Sequence, residues 1–67
     1  MEQLDLHIIR YLSDGLKIGE IPQRLEEDLS IKASKSSVEK RLTILKKLHG
    51  AKTLFHLAII LKGKRLI

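Results

Sequence analysis

A 67-residue chain that is 43% hydrophobic and 3% aromatic holds one small domain with a Leu- and Ile-built core, and at this size only about 60% of the unfolded surface is buried. Without cysteine it has neither disulfides nor thiolate metal sites, and no apolar run nears the roughly 20 residues that span a bilayer. The net charge of +5 is split, with seven acids against three bases over residues 1–30 and ten bases against the single acid Glu39 over residues 31–67, so one half attracts polyanions and the other does not.

Residues 3–13 place Leu4, Ile8, Tyr11 and Leu12 at helical spacing, with Leu6 and Ile9 widening the stripe. Asp14-Gly15 stops this first helix, Gly15 serving as a left-handed terminal residue. Leu16, Lys17 and Ile18 connect to a second helix expected over 20–29, where Pro22 suits a first turn that needs no amide donor. Ile21, Leu25 and Leu29 are its apolar face, and residues 30–35 form a polar break. The third helix, expected over 36–49, has two candidate caps. Ser34 has Ser37 three residues on, and Ser36 with Glu39 makes the capping-box pattern. Val38, Leu42 and Leu45 are its buried face, and Gly50 ends it. A fourth helix, expected over 53–62, carries Leu54, Leu57, Ala58 and Leu61 on one side, while Phe55, Ile59 and Ile60 add more apolar surface than one small core needs. With no strand signal, the expected fold is all-α, a compact four-helix domain. Acids at Glu2 and Asp5 stand where a secretion signal would be basic, so a cytoplasmic protein is expected.

Lys35, Ser36, Glu39, Lys40, Thr43, Lys46 and Lys47 fall outside the buried stripe of the third helix. A helix fits the B-DNA major groove, and side chains near its N-terminus reach base edges. On that reading Lys40 and Thr43, about a turn apart, reach bases. Glu39 either accepts from cytosine N4 there or serves as the capping partner of Ser36. Lys32, Lys35, Lys46 and Lys47 are placed for phosphates, as are Ser36 and Ser37 beside the free amides of the first turn. The same lysines also suit a solvated face, and the rival reading is a protein-interaction or dimerisation module that binds no DNA. Catalysis is not expected. His7, His49 and His56 are scattered, no Ser–His–acid or metal-ligand spacing links them, and no glycine-rich phosphate loop or other cofactor motif is present.

Ile8, Ile9, Tyr11 and Leu12 fill the apolar places of a first helix, and Gly15-Leu16, Glu20-Ile21 and Leu25 repeat the pattern G-L-x-x-x-E-I-A-x-x-L. Ser34-Lys35-Ser36-Ser37-Val38 follows S-x-x-T-V with Ser37 in the threonine place, and Leu54–Ala58, Gly63 and Leu66-Ile67 suit a closing helix. In these motifs the chain resembles the DNA-binding domain at the C-terminus of the LuxR-type transcription regulators, many of them two-component response regulators. The resemblance implies that the second and third helices form a helix-turn-helix bound to double-stranded DNA. It implies base contacts at Glu39, Lys40 and Thr43, with Ser37 and the last-turn lysines near phosphates. It also implies a weak homodimer through the fourth helix at Leu54, Leu57, Ala58 and Leu61, and an upstream receiver domain where the chain is a fragment. The chain departs from the pattern in four places. Pro22 replaces a small residue, the segment from Leu25 to Val38 is several residues longer, Arg41 stands where histidine is common, and Lys46-Lys47-Leu48 comes one residue early.

Overall fold

The helical periodicities become four helices, α1 (Gln3–Ser13), α2 (Ile21–Leu29), α3 (Lys35–His49) and α4 (Leu54–Gly63). They are seen in a computed structural model that describes residues 2–67. A 3₁₀ turn, Ile18–Glu20, runs directly into α2. The molecule measures 29 × 21 × 20 Å. Its core takes Ile8, Ile9 and Tyr11 from α1, Ile21 and Leu25 from α2, Val38, Leu42 and Leu45 from α3, and Leu57 and Leu61 from α4. Fully burying one such aliphatic side chain contributes about 1.5–3 kcal/mol, so no single helix carries the domain. The connectors are tied in as well, through Leu16 and Ile18 before α2 and Ile31 and Ala33 after it.

Each helix stops where the chain turns left-handed. Gly15 (φ 96°) and Gly50 (φ 67°) end α1 and α3. Beyond them Leu16 N–H donates to Tyr11 C=O at 3.0 Å and Ala51 N–H to Lys46 C=O at 2.8 Å, which satisfies carbonyls that the last turn leaves free. Ser30 (φ 56°) and Arg65 (φ 59°) hold the same conformation after α2 and α4 with side chains that tolerate it less well. Pro22, second in α2, costs no hydrogen bond there.

The start of α3 corrects one expectation. Ser34, not Ser36, is the cap, and its Oγ accepts from the Ser37 N–H at 3.1 Å. Ser34 has the extended backbone a cap requires (φ −87°, ψ 164°), whereas Ser36 already lies inside the helix, so the Ser36–Glu39 capping box does not form. Thr53 caps α4 by accepting from His56 N–H at 3.0 Å, and His56 Nδ1 in turn accepts from Lys52 N–H at 3.1 Å.

Two polar ties join distant elements. Asp5 on α1 is 1% exposed, and Arg41 on α3 meets it with two charge-assisted bonds, Nε to Oδ1 at 2.8 Å and Nη2 to Oδ2 at 2.7 Å. Hydrogen bonding to Asp5 and its charge push the Arg41 guanidinium above its ordinary value, against the opposing effect of desolvation. Between α1 and α2, Tyr11 Oη donates to Asp28 Oδ2 at 3.0 Å, and the Arg24 guanidinium lies 5.5 Å from the Tyr11 ring centre. Burial, then the hydrogen bond to Asp28, raises the Tyr11 phenol above its ordinary 10.0. Among the described residues no helix is long and apolar enough to cross a membrane.

Candidate nucleic-acid interface

The placement of α3 follows from what it buries. Val38, Leu42 and Leu45 face the core and Arg41 turns to α1, so at about 100° per residue the side directed away from the domain is a line of Ser36, Lys40, Thr43 and Lys47. All four are exposed. The chain thus sets two cations, a hydroxyl and a threonine along one face of a 15-residue helix. Lys35, Glu39 and Lys46 border this line on one side, while Ser37, Ile44 and Leu48 border it on the other.

Glu39, the one acid of the basic half, is drawn toward the N-terminus of α3 by Lys35, whose Nζ lies 3.9 Å from Oε1. Both side chains are solvated, so the pair adds little stability, yet it sets a cation against the carboxylate beside the exposed line. Thr43 Oγ1 donates to the Glu39 C=O at 3.0 Å, which leaves its methyl group and its oxygen lone pairs for an incoming ligand. At the N-terminus of α3 the Ser34 hydroxyl serves the cap and also donates to Ser37 Oγ at 3.1 Å. Ser36, Lys32 and Lys35 are exposed beside it.

A shallow hollow of about 240 Å³ borders the line, formed by Glu39, Leu42, Thr43 and Lys46 of α3 with Ile18 of the 3₁₀ turn and Leu54 at the start of α4. Two further elements therefore reach the same side of α3. Sequence reasoning singled out nothing in either of them for this surface.

The fourth helix corrects a second expectation. Leu57 and Leu61 are both 0% exposed and belong to the domain's own core, so neither has surface to offer a second copy. The apolar residues that α4 does expose are Phe55 (77%) and Ile59 (55%). Leu54 and Ala58 are half-buried beside them and, with Phe55, line an apolar groove of about 430 Å³ against Ile9 and Leu12 of α1. The Phe55–Ile59 face was legible only as an apolar surplus, because the burial of Leu57 and Leu61 fixes the rotation of the helix.

The histidines stay apart. His56 holds the start of α4, His49 Nδ1 lies 3.3 Å from Lys64 Nζ, and His7 is half-buried on α1. Among the described residues no three His, Cys, Asp or Glu side chains are grouped to hold a metal ion. Arg41 and Asp5 are the residues that matter for positioning α3 and that sequence reasoning passed over. The signal was present, since Asp5 stands three, four and seven residues before Ile8, Ile9 and Leu12, a carboxylate on a buried face that needs a cation.

Compared with known proteins, the chain matches no family model, and no curated protein and no solved structure is similar enough to count as a match.

Proposed function

We propose that this domain binds double-stranded DNA through α3, with α2 and α3 acting as a helix-turn-helix, as the output domain of a bacterial transcription regulator. The observation that carries the reading is the exposed line Ser36, Lys40, Thr43 and Lys47 on a helix whose single acid is paired with Lys35. Between α2 and α3 the chain turns left-handed at Ser30 and is extended again at Ser34. At residues 30–34 this connection is longer than the 3–4-residue turn usual for the motif, and with the added length of α2 to Leu29 it takes up the residues by which this segment exceeds the LuxR-type pattern. The resemblance to that family supports a regulator of two-component type.

In this reading the N-terminal half of α3 enters the major groove, where Lys40 donates to guanine O6 or N7 and Thr43 meets the next bases. Glu39 accepts from cytosine N4 at the border of the contact. Lys32, Lys35, Lys46 and Lys47, with Ser36 and Ser37, hold phosphates and contribute affinity without sequence preference. In dilute buffer the acids Glu26, Glu27 and Asp28 on α2 repel phosphate and favour approach of the duplex from the α3 side. A second reading, self-association or partner binding through α4, is favoured by the exposure of Phe55 and Ile59 beside an apolar groove. It is compatible with the first as a weak homodimer, in which Leu54 and Ala58 border the contact.

The test is binding to a labelled mixed-sequence duplex across a salt series, with Lys40→Ala beside the parent. Log affinity is expected to fall linearly with log salt for both, with the variant the weaker binder throughout the series. No binding in dilute buffer at protein concentrations up to roughly 100 µM, beyond which nonspecific DNA binding is rare, refutes the reading. Self-association without DNA binding then selects the α4 alternative.

A further inference from the structure

We infer that Lys17 and Lys52 form a phosphate clamp for the DNA strand passing the Glu39–Lys46 border of α3. The inference rests on the DNA reading above and assigns a role to two elements which that reading left unused. The hollow beside Thr43 places Ile18 and Leu54 against Glu39 and Lys46. Lys17 immediately precedes Ile18 and Lys52 stands two residues before Leu54, and both lysines are exposed. Their backbones are fixed. Lys17 N–H donates to Glu20 Oε1 at 2.9 Å, and Lys52 N–H to His56 Nδ1 at 3.1 Å. Of the two acids three residues from Lys17, Asp14 and Glu20, Glu20 is thereby folded back onto the turn as a backbone acceptor. Among the described residues neither lysine's ammonium has an ion-pair partner.

The two borders of the exposed line are unequal. On one stand Lys46, the two candidate clamps and Lys35, the last paired with Glu39. On the other stand Ser37, Ile44 and Leu48, and the nearest cation there, Arg41, is held by Asp5 at 2.7 Å and faces Glu2 at 3.6 Å. A helix in the major groove has a phosphate strand on each side of it. The free ammonium groups of the 3₁₀ turn and the α4 leader therefore grip one strand, and the asymmetry fixes the direction in which α3 lies along the groove.

The experiment repeats the salt series with Lys17→Ala, Lys52→Ala and the double variant, with Arg10→Ala on α1 as the control. Far-UV circular dichroism verifies that each variant keeps the parent's helix content. Each single substitution is expected to reduce the salt slope by about 0.9 and the pair by about twice that. Relative affinities among different duplex sequences stay as in the parent, and the control is unchanged. A double variant with the parent's slope, while Lys47→Ala reduces it, overturns the clamp and leaves DNA binding standing. A parent that binds no duplex overturns both.

Discussion

Arg41→Met is the substitution that tests most directly how α3 is held. It removes both bonds to Asp5 and leaves a carboxylate that is 1% exposed without a cation. Stranding one charge of a buried pair costs about 3–5 kcal/mol. The Arg41 side chain is 30% exposed, so water reaches one edge of the pair and the stranded Asp5 is placed at the lower end, about 3 kcal/mol. Domains hold roughly 0.05–0.15 kcal/mol per residue, so a 67-residue chain loses a third or more of its stability. Since each kcal/mol moves the midpoint of a domain this small by about 4–8 °C, the expected fall in Tm is roughly 12–24 °C. Asp5→Leu with Arg41→Met replaces the pair by apolar groups and is expected to lie within about 1 kcal/mol of the parent. Thermal and urea denaturation followed by far-UV circular dichroism measure both. A single variant as stable as the parent, or a double variant as weak as the single, refutes the assignment of Asp5–Arg41 as the tie between α1 and α3. Because Arg41 points away from the exposed line, the double variant is also expected to keep the parent's DNA affinity.

Four further outcomes are expected. Ser30→Gly and Arg65→Gly relieve left-handed strain and each raises stability by about 1 kcal/mol, whereas Gly50→Ala lowers it by a similar amount. At Gly50 an added Cβ meets nothing within 4 Å, so that loss is conformational, and denaturation midpoints read all three. Tyr11→Phe flattens the alkaline limb of the stability profile. The folded domain favours the neutral phenol, so its contribution is whole below the unfolded value near 10.0 and is lost as pH rises through the raised one, which denaturation across pH 8–12 resolves. On the DNA reading the Thr43 methyl packs on a thymine methyl, the hydroxyl proton being engaged by the Glu39 carbonyl, so Thr43→Val is expected to keep and Thr43→Ser to lose a preference for thymine over uracil at that position of a selected duplex. Phe55→Glu abolishes any concentration-dependent self-association in sedimentation while leaving the salt slope of DNA binding in place.

Most of the helical layout was legible because each helix carries an apolar stripe and ends at or near a recognisable stop. Ile21 and Leu25, or Val38, Leu42 and Leu45, leave little choice about which face turns inward, and Gly15 and Gly50 mark their helix ends without help from tertiary structure. The exact ends were harder. Ser34 and Ser36 both offered an N-terminal cap, and only backbone conformation decides between two serines two residues apart. Ser30 and Arg65 end helices in a conformation their side chains do not advertise. The candidate surface was legible on α3, where burial of one face dictates the other, and illegible wherever it depends on how helices rotate against each other. Leu57 and Leu61 were expected at an interface because the LuxR-type resemblance implies a dimer contact on the fourth helix, and the core claims that side of it. Asp5 and Arg41 stand 36 positions apart, so no local pattern pairs them. Ile18 and Leu54 lie beside Glu39 and Lys46 only because the 3₁₀ turn and the start of α4 converge on α3.

The division of charge between the first two helices and the last two makes the domain a dipole as well as a cation. At physiological ionic strength the screening length is about 8 Å, well short of the molecule's 29 × 21 × 20 Å. A polyanion touching α3 then barely senses the acids of α2. In dilute buffer of about 0.01 M the screening length grows to about 30 Å and spans the whole domain. Attraction at one end and repulsion at the other then act together as a torque, and the molecule is turned before it arrives. On the proposed DNA-binding reading, ionic strength therefore sets how many encounters begin in the right orientation as well as how tightly the final contact holds.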